Sequence, residues 1–302
     1  MLIDELVENC DKKYLSYGSS CGCESGVCNH PNGECSGSCY DCLYQIHFPS
    51  RIEGNKKMIY DCTKMLYHYV CQYSYLYTTE MLCAFYYKRE LISSFSECNI
   101  LSIGCGACAD LMALEYILSN KNIPLRYYGV DINGLWMDIH NDIKNYCQKH
   151  QACFNVYYSD AFDFFRQYSV SGMNIIVISY FISYLYNTGQ IDKIDVLVDC
   201  LVNNVIKHKK KYSPVLLVIN DVNSCNRGRD HFESFKDSIK RNGLHVKSEY
   251  RYFNTDRLNE AQKIGQAYDL QKTIFDIPQH IKEKYHAKDC INSSIQLLLE
   301  VL

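Results

Sequence analysis

The sequence predicts a doubly wound α/β domain with a mostly parallel, seven-stranded sheet, preceded by a small cysteine-rich module. Three observations carry that reading. An apolar run, a glycine turn and a helical stretch follow one another at residues 99–118, and an acidic residue, Asp131, closes the next apolar run. β-Branched runs at 174–179 and 215–220 alternate with stretches of helical spacing, the pattern of a parallel sheet covered on both faces. Cys21, Cys23, Cys28, Cys35, Cys39 and Cys42 crowd into one glycine-rich stretch.

Taken in order, Ile100 to Ile103 reads as a buried strand. Gly104 and Gly106 then let the backbone turn sharply and approach a ligand, and Asp110 to Leu118 has helical periodicity. The second strand, Arg126 to Val130, ends in Asp131, with Ile132 and Asn133 beyond it. A carboxylate at that tip is placed to accept hydrogen bonds from ribose hydroxyls, so a ribose-containing ligand is expected. Phe154 to Tyr158 is the third strand and leads into Ser159-Asp160-Ala161-Phe162. Asn174 to Ser179 is the fourth, Ile191 to Lys207 a helix, and Val215 to Asn220 the fifth strand, followed by Asp221. His231 to Arg241 is a helix closed by Asn242-Gly243. Val246 to Phe253 and Ile295 to Leu302 complete seven strands as an antiparallel edge hairpin. Between them, about 254–293, lies a polar insertion read as helical and placed to lid the site.

The run Ser102-Ile-Gly104-Cys105-Gly106 before a helix, with Asp131 one βα unit later, resembles the first motif of the class I S-adenosylmethionine-dependent methyltransferases. Ala109 stands where a dinucleotide fingerprint has its third glycine, and Cys108 and Ser102 stand where this family often has a glycine and an acid. The resemblance implies a Rossmann-like methyltransferase fold with S-adenosylmethionine as cofactor. It implies a cofactor site of Ser102, Gly104, Cys105, Gly106, Asp110, Asp131, Ile132, Asn133, Asp160, Ala161, Phe162 and Ser179, with Asp160 at the adenine amino group and Phe162 over the ring. By the same topology the acceptor lies over strands four and five, which makes Tyr180 and Asp221 the catalytic candidates. Ser179-Tyr180-Phe181-Ile182 lacks the Pro-Pro-aromatic pattern of adenine and cytosine amino-methyltransferases, and no Pro-Cys nucleophile motif is present.

The domain division expected is a metal-binding module at 1–50, a helical linker packing on the core at 51–98, and the cofactor domain at 99–302. No signal-peptide core or membrane-length apolar run is evident, so a cytoplasmic protein without a membrane partner is expected. In a reducing compartment the six clustered cysteines point to metal, with zinc first. His30 and His47 are interleaved, and His47 joins the six as a ligand candidate. An iron–sulfur cluster and unliganded cysteines are the alternatives. Cys62 and Cys71 lie in a helical stretch within reach of the module, and the scattered cysteines, such as Cys83 and Cys98, read as small hydrophobes.

With 302 residues and 47% hydrophobic composition the chain is not a disordered one. A net charge of −3 argues against a strongly electrostatic nucleic-acid binder, although a local patch can be masked. Lys207 to Lys211 reads as a solvated helix end, whereas Arg227 and Arg229 border the expected site. The 27 tyrosines read as packing residues. The leading expectation is a methyltransferase acting on RNA or on a ribosomal protein of the translation machinery, docked by the zinc module. A small-molecule methyl- or aminopropyl-type transferase and a catalytically silent interaction protein stand beside it.

Overall fold

The computed structural model describes residues 1–18, 38–47, 59–210, 213–224, 228–253, 258–268, 274–289 and 294–302. Cys21, Cys23, Cys28, Cys35, His30 and Arg227 lie outside these. The helices are α1 (Leu2–Ser16), α2 (Cys39–His47), α3 (Thr63–Tyr87), α4 (Arg89–Ser93), α5 (Ala109–Leu118), α6 (Met137–Lys149), α7 (Ala161–Gln167), α8 (Phe181–Asn187), α9 (Ile194–Asn204), α10 (Phe232–Arg241) and α11 (Gln279–Tyr285). The strands are β1 (Cys98–Ile103), β2 (Leu125–Asp131), β3 (Cys153–Tyr158), β4 (Ile175–Ser179), β5 (Val215–Val222), β6 (Val246–Tyr252), β7 (Gln266–Ala267) and β8 (Ser294–Val301).

They form one sheet in the order β3-β2-β1-β4-β5-β8-β6-β7. The first five strands pair in parallel, and β8 runs antiparallel to both β5 and β6. The sheet is therefore mixed and eight-stranded, not seven-stranded. The extra member, β7, adds two residues parallel to β6, too few for an alternating pattern to show.

Strand alternation sends successive side chains to opposite faces, and both faces are covered. Cys98, Ile100, Ile175, Val177, Leu216 and Val218 pack under α1, α3, α5 and α6. Their neighbours Leu101, Ile103, Ile176, Ile178, Leu217 and Ile219 pack under α7, α9 and α10. At about 1.5–3 kcal/mol for each fully buried aliphatic side chain, these central strands hold the frame on which the loops at their carboxyl ends sit.

The described helices α1 and α3 are built into this frame. On α1, Leu2, Ile3, Leu6, Val7 and Cys10 are buried in the main core, so residues 2–16 pack with the α/β domain. α3 is buried on nearly all sides, as expected of a helix that is apolar around its whole circumference. None of the insertion's described residues lines the cavity at the carboxyl ends of the strands. Tyr285 Oη of α11 donates to Asp11 Oδ1 at 2.6 Å and Lys284 pairs with the same carboxylate at 2.8 Å, which places α11 against α1.

Candidate functional site

After Ile103 the chain turns through Gly104 at φ +67° and Gly106 at φ +45°, conformations that cost a side-chain-bearing residue. A Cβ on Gly104 would stand 3.2 Å from the Phe181 ring. The amides of Gly104 and Cys105 both donate to Val130 O, at 2.8 and 3.2 Å, fastening the turn to the end of β2. There Asp131 accepts from Gly106 N at 2.8 Å through one oxygen and from Asn133 N at 2.9 Å through the other. Burial raises the Asp131 pKa, against the pull of those two amides. A carboxylate has about four lone-pair positions, so acceptor capacity remains for hydroxyls of a ligand.

A cavity of about 530 Å3 opens at this point, within the size range of small-molecule sites. Gly104, Gly106, Asp131, Ile132, Asn133, Asp160, Ala161, Phe162 and Ser179 all line it. Asp160 also caps α7, its Oδ1 accepting from Phe162 N at 2.8 Å. Three candidates lie off the wall. Ser102 is buried within β1. Asp110 is buried in the first turn of α5, where Tyr127 Oη and Leu111 N donate to its Oδ1, each at 3.0 Å. Burial, reinforced by Cys108, pushes its carboxyl up to about 7. The Cys105 sulfur packs against Gly129, where an added Cβ would stand 2.7 Å from it and 3.1 Å from the Tyr127 ring. Gly129→Ala is therefore expected to overpack the β1–β2 junction, costing about 1–3 kcal/mol of stability and weakening cofactor binding. Denaturant melts with and without S-adenosylhomocysteine check it.

The facing wall comes from elements that the sequence reading assigned to a linker and a metal module. Ile46 and His47 of α2, Tyr60, and Tyr69 and Tyr77 of α3 line the cavity, together with Trp136 and the start of α8. Tyr73 stacks on Tyr77 with centroids 5.4 Å apart, Tyr77 meets Tyr180 at 5.0 Å, and Tyr69 meets Trp136 edge-on at 5.5 Å. One polar contact clips this wall to the glycine-turn side, and a second holds the wall together. Asn133 Nδ2 donates to Tyr60 O at 2.7 Å, and the His47 ring lies 2.9 Å from Tyr60 Oη. Burial holds His47 down at about 4, so its ring is neutral near pH 7.

Tyr180 lines the cavity in the left-handed conformation, φ +56°, a costly position for a bulky residue and one of the kinds of strain that cluster at functional sites. Its hydroxyl donates to Glu80 at 2.7 Å. Glu80 is fully buried and also accepts from Asn220 Nδ2 at 2.9 Å and Ser294 Oγ at 2.8 Å. Burial pushes its carboxyl up to about 7, against those three donors. Asp221, the other catalytic candidate, does not line the cavity. Its buried carboxylate accepts from Ser183 N at 3.0 Å and Val222 N at 2.7 Å, the work of a backbone cap at the start of α8.

Of the metal candidates, Cys39 and Cys42 lie buried on α2 beside Leu43, Cys62 and Met65, and His47 stands on the cavity wall. Cys21, Cys23, Cys28 and Cys35 fall outside the described residues. Among the described residues the group of converging ligand atoms is a different one: Cys105, Cys108 and His140. No helix among the described residues is long and apolar enough to cross a membrane.

Sequence reasoning missed Glu80 and the tyrosine wall. Glu80 is the single acid in the 25 residues of α3, and Tyr69, Tyr73 and Tyr77 recur at four-residue spacing, so both left a signal.

No protein-family model matches the chain, and no curated protein matches it. Among solved structures, one from Listeria monocytogenes, assigned to the class I S-adenosylmethionine-dependent methyltransferases, is similar over 99% of this chain and 87% of its own, with 10% identity and a TM-score of 0.50. An S-adenosylmethionine-dependent methyltransferase from Archaeoglobus fulgidus is 21% identical over 74% of this chain and 94% of its own, with a TM-score of 0.41. The magnesium protoporphyrin IX methyltransferase of Synechocystis is 9% identical over 87% and 90%, with a TM-score of 0.42. The fold assignment rests on the first of these alone. With its strand order and glycine turn, the chain has the fold of the class I S-adenosylmethionine-dependent methyltransferases.

Proposed function

We propose that this protein is an S-adenosylmethionine-dependent methyltransferase acting on a small planar molecule. The observation that carries the reading is a cavity of about 530 Å3 in which the nine glycine-turn-side residues face an aromatic wall. The residues fit the cofactor: the turn at Gly104 is a cradle that a Cβ would crowd, and Asp131 stands beside it with acceptor capacity for a ribose. Asp160 and Phe162 are the proposed adenine contacts.

When bound, the cofactor supplies an electrophilic methyl group on a sulfonium sulfur. The chain supplies position. Tyr69, Tyr77 and Tyr180 offer ring faces that hold a planar acceptor in one orientation and exclude water. The Tyr180 hydroxyl, already donating to Glu80, can take a proton from the acceptor as it passes its own to the Glu80 carboxylate, whose pKa near 7 suits a proton acceptor. Tyr180 is thus the acceptor-side residue of this proposal, while Asp221 acts through folding.

A positive groove running from the metal module across Arg227 and Arg229 would favour RNA. Arg227 lies outside the described residues. Arg229 is buried, with Nη1 donating to Asn223 Oδ1 and Ala261 O, each at 2.9 Å, so it supports no nucleic-acid groove. Zinc at the cysteine-rich stretch stays in the proposal on thiol spacing alone.

The test is label transfer from tritiated S-adenosylmethionine to a panel of phenols, indoles and heteroaromatic amines, run beside total RNA. Label on a small acceptor and none on RNA is expected, and the reverse overturns the reading. Tyr77→Ala should raise the acceptor KM roughly tenfold, an aromatic contact of about 1.4 kcal/mol, and leave the calorimetric cofactor Kd within about twofold.

A further inference from the structure

The sulfurs of Cys105 and Cys108 and a ring nitrogen of His140 all lie within 4.8 Å of one another, and all three residues are buried. They come from the glycine turn, from the cap of α5 and from the first turn of α6. We propose that they form a zinc site behind the cofactor cavity, separate from the cysteine-rich N-terminal stretch, that ties the glycine turn to α6.

The chemistry of the donor set selects the ion. Two thiolates and an imidazole suit a borderline-soft metal such as zinc and do not suit magnesium or calcium. Zinc–sulfur bonds of about 2.3 Å and zinc–nitrogen bonds of about 2.0 Å in tetrahedral geometry put ligand atoms about 3.5–3.8 Å apart, inside the observed convergence. Local structure prepares the cluster. Cys108 N donates to Cys105 O at 2.7 Å, closing a Cys-x-x-Cys turn, and Cys108 is held at φ +58°, a strained conformation for cysteine. The bare Cα of Gly129 leaves room for the Cys105 sulfur.

His140 is oriented as a metal-binding histidine is, through its second ring nitrogen. Nδ1 lies 2.9 Å from Tyr158 Oη, and Nε2 lies 2.7 Å from Gly106 O. Coordination through Nε2 exchanges the Gly106 carbonyl for the metal, so loading the site acts on a residue of the cofactor turn. The fourth position falls to water or to Asp110, whose Oδ2 has no hydrogen-bond partner among the described residues.

The full chain, purified without chelator, is assayed for zinc per chain by elemental mass spectrometry. Cys108→Ser and His140→Gln should each lose one zinc relative to the unaltered chain, whereas Cys39→Ser with Cys42→Ser should keep that zinc. Chelation should change S-adenosylhomocysteine affinity several-fold in the unaltered chain and not in Cys108→Ser. Anomalous diffraction at the zinc edge from crystals of the unaltered chain is independent of how the variants fold, and a peak between the three ligand atoms is expected. Unchanged stoichiometry in folded variants, no such peak, or a Cys105–Cys108 disulfide in its place overturns the proposal.

Discussion

Asp131→Ala should lower the affinity for S-adenosylhomocysteine on the order of a hundredfold, the largest effect expected of any single change in the cofactor site. The carboxylate has two tasks. It ties Gly106 N and Asn133 N together at 2.8 and 2.9 Å, setting the shape of the turn, and its remaining lone pairs face the cavity where a ribose is proposed. Each hydrogen bond to a charged group contributes about 1.5–3 kcal/mol, and 1.4 kcal/mol is a factor of about ten. Losing the ligand contacts and loosening the turn together set the magnitude. Asp131→Asn keeps an acceptor but loses the charge and should fall between. Burial raises the Asp131 pKa, so binding should weaken on acidification at a higher pH than for an exposed aspartate. Calorimetry across pH with both variants is the measurement; a wild-type Kd in Asp131→Ala would remove the ribose assignment.

That carboxylate was legible in the sequence because its requirement is local. A positive φ at Gly104 and Gly106, a strand end and an acid one βα unit later are written within 35 residues, and no distant contact is needed to read them. The central strands were legible for the same reason, since Ile175 to Ile178 are buried on both faces and show as an unbroken apolar run. Local reading fails where a side chain has two possible employers. Asp221 stands near the carboxyl end of β5 in a position that serves equally for a catalyst or a cap, and the choice is made by where the backbone of Ser183 lands. Cys105 sits in the cofactor motif, yet its sulfur turns toward Gly129.

The facing wall was hidden for a different reason. α2 and α3 lie between 17 and 65 residues before Gly104, and their roles are fixed by packing across that distance. Asn133 reaching Tyr60 O and Tyr180 reaching Glu80 have no counterpart in local pattern. The tyrosines at 69, 73 and 77 mark a helical face, but a helix buried nearly all round gives no sign of which face meets a cavity.

Glu80 carries the other large effect, and its sign is opposite to that of an ordinary ion-paired acid. Burial lifts its folded pKa to about 7 from the ordinary glutamate value of 4.5, so between those values the folded protein holds a proton that the unfolded chain has released. Its contribution to stability is complete below about pH 4.5 and is lost as pH rises through 7, a difference of up to roughly 3 kcal/mol. Asp110, raised to about 7, and Asp221, raised to about 6, slope the same way, while ion-paired Asp11 and Asp138, with lowered pKa values, slope the other. Glu80→Gln keeps acceptor oxygen for Tyr180 and Asn220 without the charge. It should melt at or above the wild type at pH 8 and show a flatter stability profile between pH 5 and 8. Glu80→Ala instead leaves Tyr180, Asn220 and Ser294 donating into an emptied space and should cost about 3–5 kcal/mol at every pH. If Tyr180 hands its proton to this carboxylate during transfer, Glu80→Gln should also lose the limb of the turnover–pH profile near 7 while binding cofactor normally. A variant that keeps both the stability slope and the turnover limb of the wild type would show that Glu80 is ionised throughout, leaving the relay without its acceptor.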